Sequence, residues 1–201
     1  MHPNAPLKVT GYNVADRYQH LSAEDIRQVA DRQRLSYAVA LANITGDLNA
    51  GMIIRTACVF GAQQVFVFGK RKYDRRSTVG AHHYIDVLHF EAAEEDGTFS
   101  WPTVLQTIRV NGYTPVIIEQ GGVPLREMKL THLPTPICLV FGSEDMGIPS
   151  SVCNDEFCFT IPQPGVLRSL NVSSAASIAM WHTVCNLMTQ ESIDDDYIPE
   201  E

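Results

Sequence analysis

A regular change of hydrophobic period constrains this chain more than any other feature. Short apolar runs suited to buried strands take turns with longer stretches patterned as helices. The runs are Tyr37 to Ala42, Val65 to Phe68, Ile85 to Phe90, Thr114 to Ile118, Ile137 to Phe141 and Phe157 to Ile161. Unbroken apolar runs of this length fit strands buried on both faces. Helical patterns cover Ala50 to Phe60, stopped by Gly61, Trp101 to Val110, stopped by Asn111-Gly112, and Asn171 to Thr189. The alternation predicts an α/β fold, a mostly parallel sheet covered by helices on both faces. Such sheets hold ligands beyond the carboxyl ends of their strands. The loops expected there, Asn43 to Ala50, Gly142 to Ile148 and Pro162 to Asn171, carry the polar residues and glycines least suited to a core.

The ends of the chain read differently. Residues 1 to 20 are irregular, with Pro3, Pro6 and Gly11, and Ser22 with Asp25 then forms a capping box. A polar helix over Ala23 to Leu35 should follow, its apolar stripe narrowed to Ile26, Val29 and Ala30. Residues 1–35 are therefore expected to be an appendage, 36–189 the main domain, and 190–201 an acidic, disordered tail. At 201 residues and 45% hydrophobic content the chain can bury one substantial core. No apolar run is long enough to span a bilayer, and MHPNAPLKV lacks the regions of a signal peptide, so a cytoplasmic location is expected. The five cysteines are odd in number and form no C-x-x-C pair, which points to free thiols rather than to disulfides or a metal site. His82-His83, two adjacent histidines, do not make a metal site either.

Charge is unevenly distributed. The formal charge is −8, but six acidic residues lie beyond Gln190, and without them it falls to −2. Lys70, Arg71, Lys72, Arg75 and Arg76 crowd into one loop, with Tyr73 among them. A near-neutral body with one basic patch can bind a phosphate backbone locally, and Tyr73 is a candidate to stack on a base. Arg168 is a further candidate phosphate contact.

Three segments carry possible chemistry. In Asn43 to Ala57, Asp47 or Asn49 can cap the following helix, while Arg55 interrupts an otherwise apolar pattern. At ~100° per residue Arg55 lies ~120° around the helix from Asn49, so the two do not share a face. An arginine there needs a partner, and a structural salt bridge is the simplest one. In Leu139 to Pro149 a strand runs into Gly142, with Glu144 at its end and Gly147 following. That pattern suits a close ligand approach, and equally a turn with a helix cap. Ile161 to Ala176 begins as a rigid loop with Pro162, Pro164 and Gly165 and becomes a helix start beside Arg168, Ser169 and Asn171. It suits either a polar ligand or a turn capped by Ser169 or Asn171.

Together these segments resemble the three signature motifs of the SpoU/TrmH family of RNA ribose 2′-O-methyltransferases, within the SPOUT class. The first reads Asn49, Gly51, Arg55-Thr56-Ala57. The second reads Phe141-Gly142-Ser143-Glu144 with Gly147. The third reads Ile161-Pro162, Gly165 and Ser169-Leu170-Asn171-Val172. The resemblance covers about residues 36 to 189, and Asp145 stands where many relatives have glycine. It implies a C-terminal trefoil knot that binds S-adenosylmethionine, and a homodimer with active sites near the subunit interface. By position, Val140, Phe141, Gly142, Ile161, Pro162, Gly165, Ser169 and Leu170 would form the cofactor site, largely through backbone groups. Met180, Trp181, Val184 and Met188 of the last helix serve either the dimer interface or the subunit core.

For the reaction, the resemblance points to Arg55 as the activating residue, oriented with the ribose and cofactor by Asn49, Glu144, Ser169 and Asn171. A guanidinium rarely deprotonates, so gripping a phosphate and stabilising the developing alkoxide is an equal alternative to a base. The expected activity is methyl transfer to a ribose 2′-hydroxyl of structured RNA, without a metal. The short N-terminal extension favours tRNA over rRNA. The alternatives are an RNA-binding or assembly module of the same fold without activity, and a different α/β enzyme using a nucleotide cofactor, which the absent G-x-G-x-x-G disfavours.

Overall fold

In a computed structural model, residues 13–70, 72–94 and 98–188 are described. Six strands form one parallel sheet: β1 (Tyr37–Ala42), β2 (Gln64–Phe68), β3 (Asp86–Phe90), β4 (Thr114–Pro124), β5 (Ile137–Phe141) and β6 (Phe157–Thr160). Their order is β3-β2-β1-β5-β4-β6, with every pairing parallel. Five helices accompany them: α1 (Ala23–Arg32), α2 (Asp47–Val59), α3 (Trp101–Val110), α4 (Ser150–Asp155) and α5 (Val172–Leu187). The α/β architecture read from the periodicity is the one found.

β1 lies at the centre, and all its residues are buried. Its side chains alternate between two apolar layers, as the two-residue period of a strand requires. Tyr37, Val39 and Leu41 face α2 and α5, packing with Ile53, Ile54, Leu139, Ala179 and Met180. Ala38, Ala40 and Ala42 face α3, where they leave room for Phe66, Phe68, Val104 and Ile108. Phe68 stacks on Phe90 at 5.4 Å, and Phe66 meets Tyr113 edge-on at 5.9 Å. The small residues of β1 are thus matched to aromatic ones on β2 and β3.

Several boundaries differ from the sequence reading. α1 stops at Arg32, short of Leu35, and buries only Ile26 of its stripe. Arg34 ties the end of this segment to the body instead, donating to the carbonyls of Ala62 (2.8 Å) and Tyr84 (2.7 Å). Ser22 caps α1 as expected. β4 runs past Ile118 through an irregular stretch before rejoining β6 at Val123. At Gly122 an added Cβ would fall 2.7 Å from the backbone of Cys158, so this crossing needs glycine. α4, six residues long, has no periodic signal and was not expected from the sequence. In α5, Met180 and Val184 belong to the core, while Trp181 is 57% exposed. All five cysteines are free thiols, and only Cys138 is fully buried. The acidic tail lies outside the described residues. Among those described, no helix is long and apolar enough to cross a membrane.

The central packing of β1 makes Leu41 a direct test. Its side chain is wholly buried. Leu41→Ala is expected to cost about 2–5 kcal/mol of unfolding free energy, measured by urea titration.

Candidate functional site at the strand switch point

β1 and β5 are neighbours whose onward connections lead to opposite sides of the sheet, β1 to β2 and β5 to β6. Their outgoing loops part at this point, the place beyond the carboxyl ends where sheets of this kind hold ligands. One carboxylate spans it. Glu144 Oε2 accepts from the Thr45 N–H and from Thr45 Oγ1, each at 2.9 Å. Glu144 Oε1 accepts from Asn49 Nδ2 at 2.8 Å and from the Gly46 N–H at 3.2 Å. The N-cap position of α2 is Gly46, which offers no side chain, so neither Asp47 nor Asn49 caps the helix. Glu144 from a distant loop instead binds the Thr45 and Gly46 N–H groups just ahead of the helix, placing negative charge where the helix dipole favours it.

The third segment joins through Asn171. Its Nδ2 donates to Asn49 Oδ1 at 3.1 Å. Its Oδ1 accepts from the N–H groups of Ser173 (2.8 Å) and Ser174 (3.4 Å), capping α5. A continuous hydrogen-bonded chain therefore runs from the α2 N-terminus through Glu144 and Asn49 to the α5 N-terminus. Partial burial pushes the Glu144 pKa up, but the Asn49 and Thr45 hydrogen bonds outweigh it and hold it at about 2. The carboxylate is ionised through the physiological range and acts here as an acceptor.

Two residues missed in the sequence reading complete the scaffold. Glu119, at the end of the regular part of β4, accepts from the Ile148 N–H at 2.9 Å and so anchors the Gly142–Ile148 loop. Gln120 Nε2 donates to the Arg168 carbonyl at 2.8 Å and anchors the 161–171 loop. The signal that singled out Glu144, a carboxylate ending an apolar run, was present at Glu119 as well. Gly142 is needed for packing: a Cβ there would meet the Gly147 carbonyl at 2.7 Å.

The remaining candidates fall elsewhere. Arg55 is on an exposed face of α2 and makes no hydrogen bond or ion pair among the described residues, so the expected structural salt bridge is absent there. It therefore makes no hydrogen bond with Asn49, Glu144, Ser169 or Asn171. Ser169 is exposed and stands outside the hydrogen-bonded chain. Val140 and Phe141 are buried side chains of β5, leaving only their backbone for a ligand, whereas Pro162, Gly165, Ser169 and Leu170 are exposed and Ile161 is half-buried. Lys70, Lys72, Arg75, Arg76 and Arg168 are exposed, and Arg71 lies outside the described residues. The Tyr73 ring is half-buried, packs against the core and lies 6.2 Å from the His82 ring. A groove of about 540 Å³ between α3 and α4, lined by Trp101, Leu105, Arg109 and Val152, is on the opposite face of the sheet and holds none of the motif side chains.

The parallel sheet and its bridged switch point define an α/β domain whose motif loops converge at the carboxyl ends of β1 and β5. The chain belongs to the SpoU rRNA Methylase family, which matches residues 36–181. It is 29% identical over 140 residues to the mouse tRNA (guanosine(18)-2′-O)-methyltransferase TARBP1, covering 66% of this chain and 8% of that protein. It is 26% identical over 167 residues to the 23S rRNA (guanosine-2′-O-)-methyltransferase RlmB of Shewanella oneidensis, covering 82% of this chain and 65% of that one. An AdoMet-bound rRNA methyltransferase from Sinorhizobium meliloti has the same fold, with a TM-score of 0.64 at 24% identity, covering 82% of this chain and 61% of the other. The chain thus spans less than two thirds of the length of each of these proteins.

The lowered pKa of Glu144 gives a signed expectation. Its stabilising contribution is complete above its ordinary value of about 4.5 and is lost as the pH falls through about 2. Glu144→Gln is expected to lower the thermal midpoint at pH 6 and to narrow the gap from the parent as the pH approaches 2. Melting curves across that window measure it.

Proposed function

We propose that this chain transfers a methyl group from S-adenosylmethionine to a ribose 2′-hydroxyl of structured RNA, with tRNA favoured over rRNA. The observation that carries the reading is the Glu144–Asn49–Asn171 chain, which draws all three motif segments into one crevice. The names of the mouse and Shewanella relatives, both 2′-O-methyltransferases, support it. The donor set suits the cofactor. At Gly165 an added Cβ meets nothing within 4 Å, so packing within the chain does not account for that glycine, and a ligand laid against the loop backbone does. Backbone groups of Gly142, Ile161 and Leu170 would hold the adenosine, in the trefoil knot that family resemblance implies. When bound, S-adenosylmethionine supplies a methyl group already activated on a sulfonium.

The chain's own residues do the rest. Asn49 and Asn171, locked by Glu144 and the α5 N-terminus, present fixed polar groups at the crevice and need little reorganisation. In such a transfer the carbon–sulfur bond of the sulfonium would break to leave a neutral thioether as the 2′-oxygen bonds the methyl carbon, and the 2′-hydroxyl would give up its proton to solvent water. Arg55 grips the adjacent phosphate and stabilises the developing alkoxide. Arg55→Ala is expected to reduce methyl transfer by about 10²-fold or more while leaving cofactor affinity nearly intact. Transfer of labelled methyl to RNA, with calorimetry of cofactor binding, checks both halves, and near-normal turnover would sink the assignment.

Arg55 and the hydrogen-bonded chain face different ways within one subunit, which calls for a second copy. Arg55 shares its side of α2 with the exposed Leu48, Met52 and Val59, and on the adjoining α5 Ile178 and Trp181 are exposed too. Trp181 and Phe60 lie 5.9 Å apart, making this apolar surface continuous across both helices. A contiguous apolar face of this kind marks an interface. Two copies of the chain meet through it, and each lends Arg55 to a site near the boundary. Trp181→Glu is expected to give a folded monomer without methyl transfer. Sedimentation and circular dichroism, read beside the activity, decide it.

A further inference from the structure

The loop between β2 and β3 is docked on α2. The Asp74 N–H donates to the Asp47 carbonyl in the first turn of α2 at 3.1 Å. One turn further on, a Cβ added at Gly51 would fall 1.7 Å from Ser77 Oγ and 2.7 Å from the Asp74 carbonyl. The turn therefore rests directly on the helix backbone, and the turn residues after it, Ala81–His83, pack on α2 as well.

Internal bonds stiffen the docked turn. Ser77 Oγ donates to the Asp74 carbonyl and Thr78 Oγ1 to the Arg75 carbonyl, both at 2.7 Å, and Thr78 is fully buried. The Asp74 carboxylate accepts from the Arg76 N–H at 2.8 Å and from its guanidinium at 2.9 Å. These hydrogen bonds hold the Asp74 carboxyl below its ordinary range and engage Arg76 within the turn. Arg75 points out, exposed, with no hydrogen bond or ion pair of its side chain among the described residues. Arg55 lies one turn beyond Gly51, ~40° further round at ~100° per residue, on the same flank of α2.

We infer that Gly51 is a positioning residue for RNA: its bare backbone seats a rigid turn that presents Arg75 as a phosphate contact on the flank of α2 that also carries Arg55. The inference rests on the RNA-methylation reading above. Phosphate contacts supply much of the affinity for nucleic acid, and a cation held in place loses less conformational freedom on binding than one on a mobile loop. A side chain at residue 51 would lift the turn and carry Arg75 with it, leaving the Glu144–Asn49–Asn171 chain on the other side of the helix in place.

The test uses the full-length chain and an unmodified tRNA transcript, with affinity measured by fluorescence anisotropy from about 50 to 200 mM salt. Cofactor binding by calorimetry and the thermal midpoint are read beside it. Arg75→Ala is expected to lose about tenfold in affinity and to flatten the salt slope by about 1. Gly51→Ala should do the same with cofactor affinity unchanged, and adding Ser77→Gly, which removes the atom nearest the new Cβ, should restore part of the loss. Should Gly51→Ala fail to fold, Ser77→Ala, which removes only the Oγ bond to Asp74, should still weaken RNA binding. If Gly51→Ala binds RNA as the parent does while Arg75→Ala is weakened, the seat is unnecessary and the inference is overturned. If Arg75→Ala has no effect, the phosphate contact itself is overturned, whatever the methyl-transfer activity. The reading of function fails separately, if the unaltered protein methylates neither tRNA nor rRNA.

Discussion

One contact at the carboxyl end of the sheet organises the functional end of this molecule: the Glu144 carboxylate, held by two backbone N–H groups, a hydroxyl and an amide. Where β1 and β5 part, the sheet can offer no further ladder bonds, and the first N–H groups of α2 lack partners within their own helix. A carboxylate from the β5 loop takes up the Thr45 and Gly46 N–H groups at the entry to α2 and fixes the two loops relative to each other. Asn49 passes the constraint on to Asn171 and so to α5. Remove the carboxylate and three segments lose their common reference, although the sheet beneath them stays packed.

This arrangement separates two tasks. The crevice over β1 and β5 is built from groups already satisfied by one another, so it is rigid before any ligand arrives. The free cations, Arg55 and Arg75, lie on the other flank of α2, with the basic turn seated on Gly51. Helix α2 is the common beam: its N-terminus belongs to the crevice, its glycine to the basic turn, and its exposed stripe to the proposed partner surface. A short motif of asparagine, glycine and arginine thus serves three different surfaces of one helix.

The elements that could be read in advance were those with a strong period. β1, α3 and β5 have the expected bounds because each is an apolar pattern ended by a loop residue. Asn171 was readable as a cap because its side chain can satisfy the helix end locally. The misses share a different cause. α2 starts earlier than expected, at Asp47, because its N-cap position is Gly46, which has no capping side chain, and the segment before it is held by Glu144, distant in sequence. α4 is too short to show a period. The roles of Glu119 and Gln120 depend on which loops happen to lie over the end of β4. Tyr73 looked like a stacking residue by composition, and only the packing of the loop on α2 shows its ring turned inward.

By itself the sequence determined the class of fold, the order of its strands and helices along the chain, and the three polar segments set apart from the core, because hydrophobic period and helix capping are local properties. Only the tertiary structure decided which of those polar residues meet, that Arg55 stands apart from them, and why residue 51 must lack a side chain. Those outcomes depend on contacts between segments up to 122 residues apart, as at Asn49 and Asn171. Such contacts are set by strand order and by how tightly a turn approaches a helix, and neither distance is written in any local stretch of the chain.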